Sequence, residues 1–332
     1  MLFDHYIAVD WAQSNMAIAR MTAKSEKVDT RDVPSDIKEL KVYLRNLKGR
    51  KILTIEESTT AQWLYTELKG EVDEILMCDP RRNRLLSEGP KTDKIDATKL
   101  VRLLRAGMLK KVFHTADQFI YLRKLVSGYQ DCVKAGVRLK NQRSALFRAV
   151  GRAKEESALD SPAEKFVLTG LDDGICAYEN QKKRYEGEFE KWRKRHALIR
   201  NLESLPGIGT IGAVKLAAAV IDARRFPTRS AFISYCGLVK HDRVSGGRSY
   251  GRKKSQYSPA MKCVFKTAAL ASIDDRASGP VKVYYDYLRH EKRYSDHNAR
   301  HATARRIATL AWGVMKSGKK FDARRLKFNS EK

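Results

Sequence analysis

The chain is 332 residues long and 42% hydrophobic, with 66 lysines and arginines against 39 aspartates and glutamates. That apolar content excludes a disordered or fibrous chain, and the length accommodates two or three domains with cores of their own. A net charge of +27 makes the compact chain repel itself, so a polyanion is expected as partner, nucleic acid by default. A basic solubility surface and a membrane-surface binder are the competing explanations.

The charge is uneven: residues 201–332 hold 27 basic and 10 acidic side chains, +17 of the total. The five cysteines (Cys78, Cys132, Cys176, Cys236, Cys263) stand singly, with no spacing suited to zinc, as expected of thiols in a reducing compartment. Met1–Ala12 carries Asp4, His5 and Asp10, which does not read as a secretory leader, and apolar runs such as Ile211–Val220 are too short to span a bilayer. A soluble, cytoplasmic protein without membrane association is expected.

Taken in chain order, the first hundred residues alternate strand and helix signals. Strands are expected at Tyr6–Asp10, Asn15–Met21, Val28–Val33, Lys51–Ile55 and Glu74–Cys78. Helices are expected from Pro34, with Ile37, Leu40, Leu44 and Leu47 on one face, at Ala61–Leu68, and at Asp93–Ala106. Strands followed by alternation predict an α/β layer with a mixed sheet, over residues 1–112. Residues 113–200 read as a helical arm: Phe119, Leu122, Val126, Tyr129 and Val133 fall at helical spacing, and a second charged helix is expected over Ala177–Leu202. Residues 201–325 follow as a mostly helical domain. It opens on Leu205-Pro206-Gly207-Ile208-Gly209 before an alanine-rich helix, continues through a Gly/Ser/basic loop at Arg243–Lys254, and ends in helices at Pro259–Ala271 and Arg300–Met315. No internal repeat is present.

Four carboxylates stand out. Asp10 and Glu56 end the first and fourth strands, and Asp93 and Asp96 lie three apart at a helix start. If those strands are neighbours, the four acids can converge, and a cluster of hard oxygen ligands suits Mg²⁺ or Mn²⁺. The same residues also fit strand-end turns and helix N-terminal charges, and spacing alone leaves the choice open. Glu57 is adjacent, so strand register decides which glutamate faces the others.

The turn at Gly207 and Gly209 has the look of a helix-hairpin-helix, whose amides can hold a phosphate, though an ordinary glycine turn has the same composition. The loop holding Arg243, Ser245, Arg248, Arg252, Lys253 and Lys254 combines serines with charge able to neutralise a phosphate. A phosphate-binding loop without a nucleophile fits the residue types equally well.

The strand ending at Asp10, the segment Ile55-Glu56-Glu57-Ser58-Thr59 and the run Lys91-Thr92-Asp93-Lys94-Ile95-Asp96-Ala97 resemble the acidic tetrad of the DEDD insertion-sequence transposases. Phe232–Leu238 resembles the segment that precedes the serine loop in that family's second domain, and the stretch from Lys316 to Ala323 resembles that domain's C-terminal end. The resemblance implies a RuvC-like, ribonuclease-H-like fold for the first domain, with Asp10, Glu56, Asp93 and Asp96 as metal ligands. It also implies a nucleophilic serine falling on Ser245, with Ser249 and Ser255 as alternatives. The implied activity is DNA transposition by strand cleavage and rejoining through a phosphoserine, assisted by Mg²⁺ or Mn²⁺. The implied partners are donor and target duplex DNA, a structured guide ("bridge") RNA, and further copies of the chain in a dimer or tetramer. A metal-dependent junction resolvase, a Piv-type DNA invertase and a non-catalytic nucleic-acid binder are the rival functions.

Overall fold

The computed structural model describes residues 2–80, 92–151, 159, 161–253, 256–274, 276 and 278–325. The chain forms two compact units, Met1–Asp117 and Gln118–Lys332.

In the first unit, strands β1 (His5–Trp11), β2 (Asn15–Thr22), β3 (Asp29–Pro34), β4 (Lys51–Glu56) and β5 (Glu74–Cys78) form one sheet in the order β3-β2-β1-β4-β5. The first three make an antiparallel meander, while β4 runs parallel to β1 and β5 parallel to β4. Parallel neighbours need a crossover, and helices α1 (Ile37–Asn46) and α2 (Ala61–Leu68) supply them. Pro34 does not open α1. It ends β3, and Asp36 caps the helix by accepting from the Lys38 amide at 2.7 Å, because a short carboxylate satisfies an orphan amide that proline leaves untouched.

Strand alternation divides the core in two. Ile7, Val9, Leu53 and Ile55 point to the face covered by α1 and α2, where they meet Leu40, Leu44, Leu64 and Leu68. Tyr6, Ala8 and Ile52 point the other way, toward Ala97, Leu100, Val101 and Leu104 of helix α3 (Asp93–Arg105). Ala8, Ala17 and Ala19 are fully or almost fully buried beneath α3, where small side chains let the helix lie close on the sheet. Each fully buried Leu, Ile or Val contributes about 1.5–3 kcal/mol.

In the second unit, α4 (Phe119–Ala149) and α5 (Pro162–Arg195) form an antiparallel pair. Successive contacts fix the direction: Gly128 lies against Tyr185, Gly136 against Tyr178 and Gly174 against Leu139, and Arg143 pairs with Asp172 at 2.6 Å. The second helix of the pair begins at Pro162 rather than near Ala177, started by a capping box between Ser161 and Glu164. Its early stretch carries Gly170, Asp172, Asp173 and Gly174, which mask the apolar period. It also stops at Arg195, with His196 extended before the short α6 (Ala197–Glu203).

The base of the pair is built into the helical body. Phe119, Leu122, Val126, Tyr129 and Phe189 share one core with residues of α6, α7 (Thr210–Val220), α8 (Arg229–Tyr235), α9 (Pro259–Ile273) and α11 (Asp296–Ser317). Two short helices, α8 and α10 (Pro280–His290), are additional to the sequence expectation. The stretch expected as a loop after Arg243 is instead a β-hairpin, β6 (His241–Ser245) and β7 (Arg248–Lys253). Among the described residues, no helix is long and apolar enough to cross a membrane.

Candidate functional site

The first and fourth strands are neighbours. The β1–β4 register ends at Val9 opposite Ile55, so Asp10 and Glu56 each stand one residue beyond that pair. Both continue the even-numbered rows that face α3, Tyr6 and Ala8 in β1 and Ile52 and Thr54 in β4. Thr54 is buried and donates to the Leu76 carbonyl at 2.8 Å, tying the end of β4 to β5.

The direction of α3 decides where Asp93 and Asp96 fall. Arg105, at its C-terminal end, donates to the carbonyls of Ala23 and Ser25. Those carbonyls lie at the start of β1, since the Ala23 amide donates to Asp4. The helix therefore runs antiparallel to β1. Its 13 residues cover about 20 Å, and the rise from His5 to Asp10 covers about 17 Å, so its first turn reaches the strand ends. Thr92 caps that turn by accepting from the Ile95 amide at 3.3 Å, and the two aspartates add negative charge where the helix dipole favours it. The strand ends with Asp10 and Glu56 and the first turn of α3 with Asp93 and Asp96 thus lie toward one end of the same sheet face, Asp10, Glu56 and Asp96 half-buried and Asp93 exposed.

Their side chains are not gathered into an ion cage. Among the described residues, no group of three or more His, Cys, Asp or Glu side chains is arranged to hold a metal. The donor set itself is all carboxylate oxygen, the chemistry of Mg²⁺ and Mn²⁺ rather than of zinc.

Glu57 takes the opposite side. Its amide continues the ladder to the Cys78 carbonyl at 2.9 Å, and its Oε2 meets His114 Nε2 at 2.6 Å. His114 Nδ1 meets Gln62 Oε1 at 2.9 Å, and Gln62 is oriented by donating its own amide to the Thr115 carbonyl at 3.0 Å. The register thus separates the two glutamates that residue order left ambiguous. His114 carries no motif signal, and only the fold brings it to the end of β4.

In the second unit, Gly207 and Gly209 play different parts. Gly207 has φ +71°, and a Cβ there would stand 2.1 Å from the Ala268 carbonyl oxygen of α9. It is a packing glycine. Gly209 has φ −86°, no neighbour within 4 Å of a Cβ position, and begins α7 without a side-chain cap. Residues 207–212 line a cavity of about 930 Å³ together with Lys215 and Cys263. Burial lowers the Lys215 pKa, and its Nζ lies 5.3 Å from the Tyr129 ring centre.

Ser245 ends β6 opposite Arg248, joined by Gly246 (φ +55°) and Gly247 (φ +76°). Two successive positive φ values define the tight hairpin turn that glycine pairs favour. Residues 242–252 are exposed throughout, Val244 and Tyr250 among them. Arg252 pairs with Asp242 at 3.0 Å, while Arg243 sits at a register shift between Asp242 and Val244. Lys253 belongs to β7, Ser249 pairs in register with Val244, and Tyr257 lies against Gly237. Lys91, Lys254 and Ser255 lie outside the described residues.

Known proteins place both units. Residues 7–151 match the family model DEDD_Tnp_IS110, described as a transposase, and residues 199–286 match the transposase family IS116/IS110/IS902. The chain is 27% identical to a putative transposase, y4qE, of Sinorhizobium fredii, over 58% of this chain and 50% of that protein. It is 26% identical to an uncharacterized 43.6 kDa protein of insertion element IS110 from Streptomyces coelicolor, over 48% of this chain and 38% of the other. A probable family 20 transposase of Pseudomonas aeruginosa is 33% identical over 31% of this chain and 30% of its own. The chain thus spans half or less of the length of these curated relatives. With the two transposase family models matching residues 7–151 and 199–286, this chain belongs to the IS110 family of DEDD transposases.

Proposed function

We propose that the protein is a DNA transposase that cuts and rejoins strands using the four carboxylates of the first unit and the serine hairpin of the second. The observation that supports this reading is that Asp10 and Glu56 end neighbouring strands on the sheet face covered by α3, whose first turn, bearing Asp93 and Asp96, is directed to that same end. The strand order, with β2 antiparallel and β4 and β5 parallel, favours a ribonuclease-H-like reading of that unit. The sequence α6, glycine turn, α7 favours a helix-hairpin-helix.

In this reading the four carboxylates hold Mg²⁺ or Mn²⁺, which when bound neutralises charge on the scissile phosphate. Ser245 Oγ attacks that phosphorus. A P–Oγ bond forms as the P–O bond to the departing strand breaks; the serine proton is lost to a base, and the leaving oxygen ends as a hydroxyl. Attack by a second strand's hydroxyl reverses the exchange, so the energy of the broken bond is kept without ATP. Arg243 and Arg248 beside Ser245 supply charge for the anionic transition state, and the turn glycines admit the DNA backbone. Lys253 and Lys254 extend the basic run, Arg252 joins it once released from Asp242, and the amides after Gly209 are offered to a further phosphate. Choice of site by a guide RNA, and assembly of several copies around donor and target DNA, complete the proposal.

A nicked suicide duplex tests it. With Mg²⁺, wild-type protein is expected to give a covalent adduct that mass spectrometry locates on Ser245. Asp10→Asn, chelation and Ser245→Ala are each expected to abolish it. An adduct on Tyr250 or Tyr257, or recombination that survives Ser245→Ala, would overturn the serine mechanism.

A further inference from the structure

Helices α9 and α11 pack on each other through Val264, Phe265 and Ala268 on one side and Ala304, Ile307 and Ala308 on the other. Beside that seam, each helix carries basic groups at a spacing of four. On α9 these are Lys262 and Lys266; on α11 they are His297, His301 and Arg305. The two rows face one another: His301 feels Arg305, Lys262, Lys266 and His297 as its charged neighbours. Lys266, His297 and Arg305 are exposed, and Lys262 and His301 are half-buried.

What distinguishes this cluster is the absence of acid. Helix α9 contains no Asp or Glu, and the single acid of α11, Asp296, lies on another face where Tyr285 and Arg300 hold it. Other surface cations of the unit do have carboxylate partners, among them Arg193 with Glu203, Lys282 with Asp286 and Arg324 with Asp322. Among the described residues no carboxylate pairs with Lys262, Lys266, His297, His301 or Arg305. Crowding like charges destabilises the fold by itself, and a bound polyanion offsets that cost.

We infer that the α9–α11 seam is a nucleic-acid backbone track, in which Lys262, Lys266, His297, His301 and Arg305 bind consecutive phosphates of one strand. The dimensions agree. From His297 to Arg305 the helix rises about 12 Å. A strand of duplex carries one phosphate per about 3.4 Å of axis, so the row meets three or four. Lysine and histidine contacts of this kind position a strand without reading its sequence. The track uses none of the residues assigned to the serine hairpin or to the carboxylates. It rests on the nucleic-acid part of the proposal above but on none of its chemistry.

The test is equilibrium binding by fluorescence anisotropy, in EDTA so that no strand is cut. It uses one arbitrary 20-base-pair duplex as DNA and as RNA, titrated over a range of KCl. The proteins are wild type, Lys262→Gln/Lys266→Gln, and the triple variant with Arg305→Gln. Each lost phosphate contact lowers the slope of log affinity against log salt by about 0.9. A fall of about two for the double variant and about three for the triple is expected, with at least tenfold weaker binding at 0.1 M KCl. A change on DNA alone assigns the track to DNA, on RNA alone to RNA, and on both to either backbone. Unchanged slopes on both would overturn the inference. Melting temperatures should hold or rise as like charges are removed; weaker binding with a lower melting temperature would assign these residues a packing role instead. Because the assay needs neither metal nor Ser245, its failure leaves the strand-cutting proposal standing, and the loss of the covalent adduct leaves the track standing.

Discussion

Glu57 and His114 lie 57 residues apart in sequence and 2.6 Å apart in space, on the side of β4 away from α3. The Thr115 carbonyl can only accept, so the Gln62 amide nitrogen faces it and Gln62 Oε1 is turned to His114 Nδ1. The Glu57 carboxylate accepts from Nε2. With the His114 side chain only 5% exposed, this contact holds Glu57 away from the acids around Glu56.

The two neighbouring glutamates should therefore behave differently. Glu56→Gln is expected to reduce Mg²⁺-dependent strand cleavage by about 100-fold or more, the scale of losing an electrostatic contact to the transition state. Glu57→Gln should keep cleavage within a few-fold of wild type while lowering stability by about 1 kcal/mol, since Glu57 is partly exposed. Cleavage rates and melting curves of the two variants decide it. The opposite pattern would assign the metal-facing role to Glu57.

The two glycines of the α6–α7 turn should also separate. Gly207→Ala forces a Cβ onto the Ala268 carbonyl at a left-handed φ, and is expected to cost about 2–4 kcal/mol. Gly209→Ala meets open space and should melt close to wild type, yet weaken DNA binding if the first-turn amides of α7 hold a phosphate. Undiminished binding by Gly209→Ala would reduce the motif to a structural turn.

In the serine hairpin, the turn needs positive φ at both Gly246 and Gly247. Replacing both with alanine costs about 1–2 kcal/mol per left-handed residue, within a hairpin whose residues 242–252 are all exposed. The expected result is an adduct yield on Ser245 reduced about tenfold or more, with the global melting temperature unchanged. Gly246→Asn, which tolerates the same φ, should recover most of it. Equal yields from all three proteins would show that turn geometry does not present the serine.

His301 gives a pH signature. Burial, and then Arg305, Lys262, Lys266 and His297, hold its pKa below the ordinary histidine value. The unfolded chain therefore takes up the proton first. Stability is lost as pH falls through about 6.5, and the loss levels off below the folded value. A fall in melting temperature of about 2 °C or more between pH 7.5 and 5.5 is expected from this group, and His301→Gln should remove that share. Bound nucleic acid should reduce the loss, because phosphate favours the charged ring. An identical pH profile for His301→Gln would exclude the effect.

The sheet was legible in the residues because a short, nearly continuous apolar run is a local signal. The pattern from Tyr6 to Val9 and from Lys51 to Ile55 marks two buried strands whatever surrounds them, and each expected strand lies within one or two residues of its observed ends. The same holds for α2 and α3, whose apolar stripes are unbroken. The start of α5 was hidden because among its first fifteen residues only Leu168, clustered with Phe147, is buried, so no apolar stripe repeats there. The serine hairpin was hidden because its strands are polar on both faces and expose no alternation.

The sequence by itself determined the strand and helix inventory of the first unit, the identities of the four acids and the excess of positive charge, all of which follow from residue type and short-range period. Tertiary structure alone decided which way α3 runs, which of two adjacent glutamates His114 holds, and that Gly207 is bound to packing while Gly209 is open. It also decided that cations on α9 and α11 share one seam. Each of these depends on contacts between residues tens of positions apart, and such contacts are set by how whole elements bury their apolar faces against one another.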